Sequence, residues 1–122
     1  MIAGVILAAG AGRRMGGPKA VIEIEGVRLV DRAVANFKSA GIDTVFVVLG
    51  AWVGEVKGAE IIVNADWESG MASSLQSALR HITEIVEIDS VLISLVDLPG
   101  LTAQAIAEIA KTPRDVVVAT YK

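Results

Sequence analysis

The sequence predicts an α/β domain: a doubly wound, mostly parallel sheet with helices on both faces. Short apolar runs rich in Val and Ile alternate with stretches of helical period along the whole chain. The runs at 43–50, 60–64 and 90–97 are continuously apolar and do not alternate, the pattern of strands buried on both faces. A glycine-rich stretch, LAAGAGRRMGGPKA at 7–20, follows the first run directly, at the strand end where such sheets place ligands.

Taken in order, residues 5–8 form the first strand. Residues 21–24 are a short extended piece ended by a Glu25-Gly26 turn. Leu29, Ala33, Val34 and Phe37 fall on one face of a helix that stops near Gly41. The strand at 43–50 follows, then the one at 60–64. Met71, Leu75, Ala78, Leu79, Ile82 and Ile85 mark an amphipathic helix, with Met71, Leu75 and Leu79 read as core. The strand at 90–97 leads to a helix at 102–110 with Thr102 as its cap, and 115–121 is the last strand. Topology alone brings three features to the carboxyl ends of the strands: the glycine-rich loop, Asn64 and Asp97.

The 122 residues suit one domain, 1–122, and 53% hydrophobic content supports a continuous core. No apolar run is long enough to span a membrane. The absence of cysteine excludes disulfides, thiol nucleophiles and thiolate metal sites, and it agrees with a cytoplasmic location. A histidine-based triad or zinc site would rest on His81 alone, which reads as a partly exposed helix residue. Net charge is -3, distributed unevenly: residues 1–38 hold six basic against three acidic side chains, a local +3, leaving -6 for the remainder. Cations concentrated near one loop suit a small anion. No broad basic face exists for nucleic acid.

Gly10, Gly12, Gly16 and Gly17 permit close approach of a ligand, and successive backbone N–H groups can form an anion nest. Arg13, Arg14 and Lys19 add charge-assisted donors for phosphate oxygens. The loop is not a Walker A motif, because Pro18 precedes Lys19 and Ala20 follows it. A nicotinamide dinucleotide fingerprint fails at Met15, and the next buried strand ends in Gly50 without an acidic ribose partner.

The loop resembles the signature of the nucleotidyltransferases that activate sugars, alditols and pterins, Leu-Ala-Ala-Gly-x-Gly-x-Arg-Met-Gly-x-Pro-Lys. It matches at Leu7, Ala8, Ala9, Gly10, Gly12, Arg14, Met15, Gly16, Pro18 and Lys19. The segment NADWESGMASSL at 64–75 is similar to Asn-x-x-Trp-x-x-Gly-Met-x-x-Ser-Leu of the molybdenum cofactor cytidylyltransferase branch of the MobA-like family. It matches at Asn64, Trp67, Gly70, Met71, Ser74 and Leu75, with Ala78-Leu79 where the branch has Gly-Leu. The Gly-Pro-Leu segment of the guanylyltransferase branch is absent. SLVDLPGLT at 94–102 resembles the family's Asp-x-Pro motif, with Leu98 in place of the usual Gln.

The resemblance implies a Rossmann-like fold of the nucleotide-diphospho-sugar transferase type, lacking the usual C-terminal part. It also implies a loop wrapped round the triphosphate of CTP or another NTP. Arg14 and Lys19 would hold phosphate oxygens as pyrophosphate leaves. Asp97 would hold Mg²⁺, a hard cation suited to carboxylate and phosphate oxygens. Gly70 backbone and the Ser74 hydroxyl would read the base edge. Asn64 and Ser74 suit ligand contact and local capping equally, Trp67 also suits bracing of the loop, and Asp97 also suits an Asx turn closed by Pro99. The implied reaction moves CMP, or another NMP, onto a phosphorylated acceptor, molybdopterin or its molybdenum-loaded form, with no nucleic-acid or membrane partner. Three alternatives stay open: a sugar- or alditol-phosphate nucleotidyltransferase, an NTP-binding module without turnover, and a nicotinamide-dependent oxidoreductase, against which Met15 and the missing acidic ribose partner stand. Apolar surface left by the missing C-terminal part would favour a homo-oligomer.

Overall fold

The computed structural model describes residues 1–11, 17–96, 103–110 and 116–118. Its five-stranded sheet has the order β5-β4-β1-β6-β7, formed by Glu60–Val63, Thr44–Leu49, Ile2–Leu7, Ser90–Leu95 and Val116–Val118. Every pairing in it is parallel. From β1 the chain builds outward to β4 and β5, then returns to the other side of β1 as β6. The order therefore reverses beside β1, which makes the gap between β1 and β6 the topological switch point.

Register aligns the strand ends. Leu7 is opposite Val48 and Leu95, and Val48 is opposite Ile62. The ladder runs on past the strands. The N–H of Ala8 donates to Val48 O (2.9 Å), that of Asn64 to Leu49 O (2.8 Å), that of Val96 to Leu7 O (3.1 Å) and that of Ala51 to Ala9 O (3.0 Å).

Helix α1 (Leu29–Ser39) buries Leu29, Val30, Val34 and Phe37 on one face of the sheet against Ile6, Val47 and Leu92. Helix α2 (Met71–Ile82) covers the opposite face, where Ala78 and Ile82 meet Val5, Phe46 and Ile93. Helix α3 (Ala103–Ala110) brings Ile106 into the α1-side core. Helices thus lie on both faces, as the sequence predicts. The β6–α3–β7 crossover has the opposite hand from β1–α1–β4, because α1 and α3 share a face while the chain advances in opposite directions across the sheet. No helix among the described residues is long and apolar enough to cross a membrane.

Local signals set several boundaries. The α1 helix stops at a Schellman motif: Gly41 has φ 90°, its N–H donates to Lys38 O, and the Ile42 N–H donates to Phe37 O. The extended piece expected at 21–24 is a single-turn 3₁₀ helix, Lys19–Val21, followed by a hairpin of β2 (Glu23–Ile24) and β3 (Val27–Arg28). Glu25 and Gly26 take the positive φ values, 57° and 81°, that a two-residue hairpin turn needs. Helix α2 ends three residues before Ile85, which packs on the core from the following turn. Met71 is exposed, contrary to its reading as core: it is the first residue of α2, and the helix reaches the sheet only at Ser74. The cap expected of Thr102 lies outside the described residues.

Gly4 decides how closely α1 approaches β1. A Cβ there would sit 2.6 Å from Phe37 Cδ1 and 2.8 Å from Cε1, inside a fully buried contact. Gly4→Ala is therefore expected to destabilise the fold by about 1–3 kcal/mol. Adding Phe37→Leu should recover part of that loss relative to Phe37→Leu alone. Urea unfolding of the two single mutants and the double mutant checks the coupling.

Candidate nucleotide site

The Leu-Ala-Ala start of the glycine-rich loop is core. Leu7 and Ala9 pack on the α2 side and Ala8 on the α1 side, all buried. Their side chains are buried, and they fix where the loop leaves the sheet. The loop returns through Pro18, whose carbonyl accepts the Val21 N–H at 3.2 Å, and Ala20 is fully buried against α1. Both ends of the loop are therefore pinned, one by the sheet and one by the core. Gly12, Arg13, Arg14, Met15 and Gly16 lie outside the described residues, as does the side chain of Lys19, whose backbone opens the 3₁₀ turn.

Gly10 is exposed, with φ outside the left-handed region, and a Cβ at this position would meet nothing within 4 Å among the described residues. Neither backbone conformation nor packing within the described chain calls for a glycine there. Open space above residue 10 fits a glycine whose purpose is to let another molecule approach the main chain.

On the neighbouring strand end, Asn64 is 3% exposed and fully engaged. Its Nδ2 donates to Ser73 Oγ at 2.8 Å and Ser74 Oγ at 3.0 Å, and its Oδ1 accepts the Asp66 N–H at 3.0 Å. Ser73 Oγ donates to Gly70 O at 2.7 Å. Asn64, Ser73 and Ser74 thereby lock the loop at 64–70 to the start of α2. Local capping accounts for the side-chain amide of Asn64, and Ser74 is 4% exposed beneath the surface. Gly70, at φ 112° and with open space where a Cβ would be, leaves the first turn of α2 without a side-chain cap. Trp67 lies against Gly50 at the end of β4.

Position 97 comes next after Val96, whose N–H is bonded to Leu7 O; Asp97 itself lies outside the described residues. Among the described residues, no group of three His, Asp or Glu side chains could hold a metal. Shifted proton affinities occur elsewhere. Arg28 is held protonated by its bond to Asp31 at 2.6 Å, and exposed Asp89 is kept below the usual carboxylate range by the N-terminal ammonium at 2.8 Å. A groove of about 690 Å³ between α1 and residues 55–58 contains none of the predicted site residues; Arg28, Asp31, Lys38, Glu55 and Lys57 border it. Sequence reasoning passed over Gly50, because only the packing of Trp67 reveals what its missing side chain does.

A model of the MobA-like NTP transferase domain matches residues 4–122. The nicotine blue oxidoreductase of Paenarthrobacter nicotinovorans is 37% identical over 122 residues, covering 93% of this chain and 57% of that protein. A nucleotidyl transferase from Methanothermobacter thermautotroptrophicus superposes with a TM-score of 0.75 at 28% identity, over 91% of this chain and 57% of that one. The Rv0371c protein of Mycobacterium tuberculosis H37Rv gives a TM-score of 0.73 at 26% identity, over 89% and 58%. The chain thus spans somewhat over half the length of these relatives.

Truncating Asn64 tests the lock. Asn64→Ala leaves the Ser74 hydroxyl and the Asp66 N–H without their partner, and is expected to cost about 1–3 kcal/mol in urea unfolding.

Proposed function

This chain belongs to the MobA-like NTP transferase family, and on that premise we propose that it binds an NTP, CTP by preference, and moves its nucleotidyl group to a phosphorylated small-molecule acceptor. The observation that carries the reading is the meeting of loop and strand at the switch point. There the Val96 N–H is bonded to Leu7 O, so the root of the glycine-rich loop and the residue before Asp97 share one edge of the sheet.

In the proposed reaction an anionic oxygen of the acceptor phosphate attacks the α-phosphorus in line. A new P–O bond forms, the bond between the α-phosphorus and its bridging oxygen breaks, and pyrophosphate leaves with that electron pair. The attacking oxygen is already an anion, so no protein nucleophile is required. Positioning and charge stabilisation supply the rate. The loop amides, Arg14 and Lys19 hold the β- and γ-phosphates, and Arg13 adds a further charge-assisted donor. Gly10, Gly12 and Gly16 keep the backbone bare against them. Gly70 offers main-chain groups to the base, and Asn64 and Ser74 hold that segment rigid. Asp97 is the carboxylate that would hold a divalent cation, Mg²⁺, which would neutralise charge on the α- and β-phosphates.

By the resemblance of 64–75 to the molybdenum cofactor cytidylyltransferase branch, the proposed acceptor is molybdopterin or its molybdenum-loaded form; a sugar or alditol phosphate is the alternative. A second reading follows from the Paenarthrobacter relative, an oxidoreductase by name. The same loop would then grip the pyrophosphate of a reduced nicotinamide dinucleotide. Calorimetric titration with CTP, GTP and NADPH in the presence of Mg²⁺ separates the two. Tight CTP binding supports the nucleotidyl reading, and NADPH binding without CTP binding overturns it. Pyrophosphate release on adding candidate acceptors then distinguishes a transferase from a binding module.

Gly10→Ala is expected to leave the melting temperature unchanged while weakening CTP binding at least tenfold; equal loss of both, or loss of neither, contradicts the site. Lys19→Ala is expected to reduce pyrophosphate release by on the order of a hundredfold.

A further inference from the structure

Gly50 stands at the end of β4, two residues past Val48 and bonded through its neighbour Ala51 to Ala9. Its φ is not in the left-handed region, so backbone conformation does not require glycine there. Packing does. A Cβ at position 50 would lie 2.4 Å from Trp67 Cβ, 2.7 Å from Cγ and 2.9 Å from Cδ1. These atoms form the root of the Trp67 side chain. Turning the ring does not move the Cβ, so added bulk at 50 must displace the main chain of the turn at 67–69.

Gly54 provides the contrast. There a Cβ would meet Cζ2 and Cη2, the far edge of the Trp52 ring, which can swing aside.

The turn that Gly50 seats is tied on both sides. Asn64 bonds the Asp66 N–H and, through Ser73 and Ser74, the start of α2. The Gly70 N–H donates to Trp67 O at 3.2 Å. Moving Trp67 off the end of β4 therefore carries Gly70 and the first residues of α2 with it. Ala9 and Gly10 stay behind, because Ala9 is held by Ala51 and buried in the core.

We propose that Gly50 and Trp67 are a positioning pair that sets the distance between the root of the phosphate loop and the start of α2, and so decides which nucleotide base the cleft accepts. The inference rests on the NTP reading above. Relief of the 2.4 Å contact to an ordinary carbon–carbon separation needs a shift of about 1 Å or more. A shift of that size is enough to alter how a base is read, since one methylene's worth of fit is worth roughly 10–200-fold in discrimination.

The test uses the full chain with Trp52→Phe, which leaves Trp67 as its one tryptophan. CTP and GTP are each titrated with Mg²⁺, following heat and Trp67 emission, before and after adding Gly50→Ala. Measurements are made at a temperature where circular dichroism shows both proteins folded. The expected result is a change in Trp67 emission on nucleotide binding, and a CTP-over-GTP affinity ratio that moves at least tenfold with Gly50→Ala. A residue that only supported the fold would lower the melting temperature and leave that ratio alone, and this outcome overturns the proposal. If Gly50→Ala does not fold, the emission measurement on the Trp52→Phe chain decides: heat of CTP binding with unchanged Trp67 emission overturns it. Failure of the parent reading looks different, since the chain without Gly50→Ala then gives no heat with CTP or GTP, and both conclusions fall together.

Discussion

The parallel ladder around β1 is the constraint on which the rest of the structure depends. Because β4 and β6 pair with β1 at a level register, Leu7, Val48 and Leu95 end in one row. Everything chemical hangs from the next two residues of each chain segment. Ala8 and Ala9 launch the glycine-rich loop, Gly50 seats Trp67, and Val96 delivers the chain to position 97. A one-residue slip of β6 would exchange the faces of Leu92 and Ile93, which belong to opposite cores, and would move position 97 away from the loop root. Burial on both faces of the sheet is what makes such a slip costly.

Two apolar layers enforce that register. On the α1 side, Phe37 lies against Gly4, and the loop return is anchored by Ala20. On the other side, α2 is drawn to the sheet by Ala78 and Ile82, while its start leaves Met71 exposed and has Gly70 at the N-cap without a side-chain cap. The same helix is thus buried at its middle and exposed at its start. Buried Asn64 bonds both Ser73 and buried Ser74, so the loop preceding α2 is tied to the helix by the chain's own side chains. A loop tied in this way suits the proposed reaction, in which positioning and electrostatics would supply the rate.

Glycine serves three different physical ends here. At Gly41 it supplies a positive φ that closes α1. At Gly4 and Gly50 it makes room for an aromatic side chain of the same molecule. At Gly10 it does neither among the described residues, and the space beside it is open. Only the last kind leaves the main chain open to another molecule, as the proposed phosphate site requires. In the sequence all four are the same letter.

The sequence by itself determined the fold class, the order of strands and helices along the chain and the family, because period, length and the loop pattern are local properties of consecutive residues. It also located the loop, Asn64 and Asp97 at strand ends, since a parallel α/β chain leaves few other arrangements. It did not reveal that Asn64 spends its amide on Ser73 and Ser74, that Met71 leaves the core, or that the Glu25-Gly26 turn it located joins two paired strands. Nor did it show Gly50 holding Trp67 in place. The Asn64 and Gly50 contacts join residues 9 to 17 positions apart, the exposure of Met71 depends on where α2 first meets the sheet, and the hairpin depends on pairing across its turn. Only the tertiary structure decides them, because hydrogen-bond partners and steric room are properties of neighbours in space and not of neighbours in the chain.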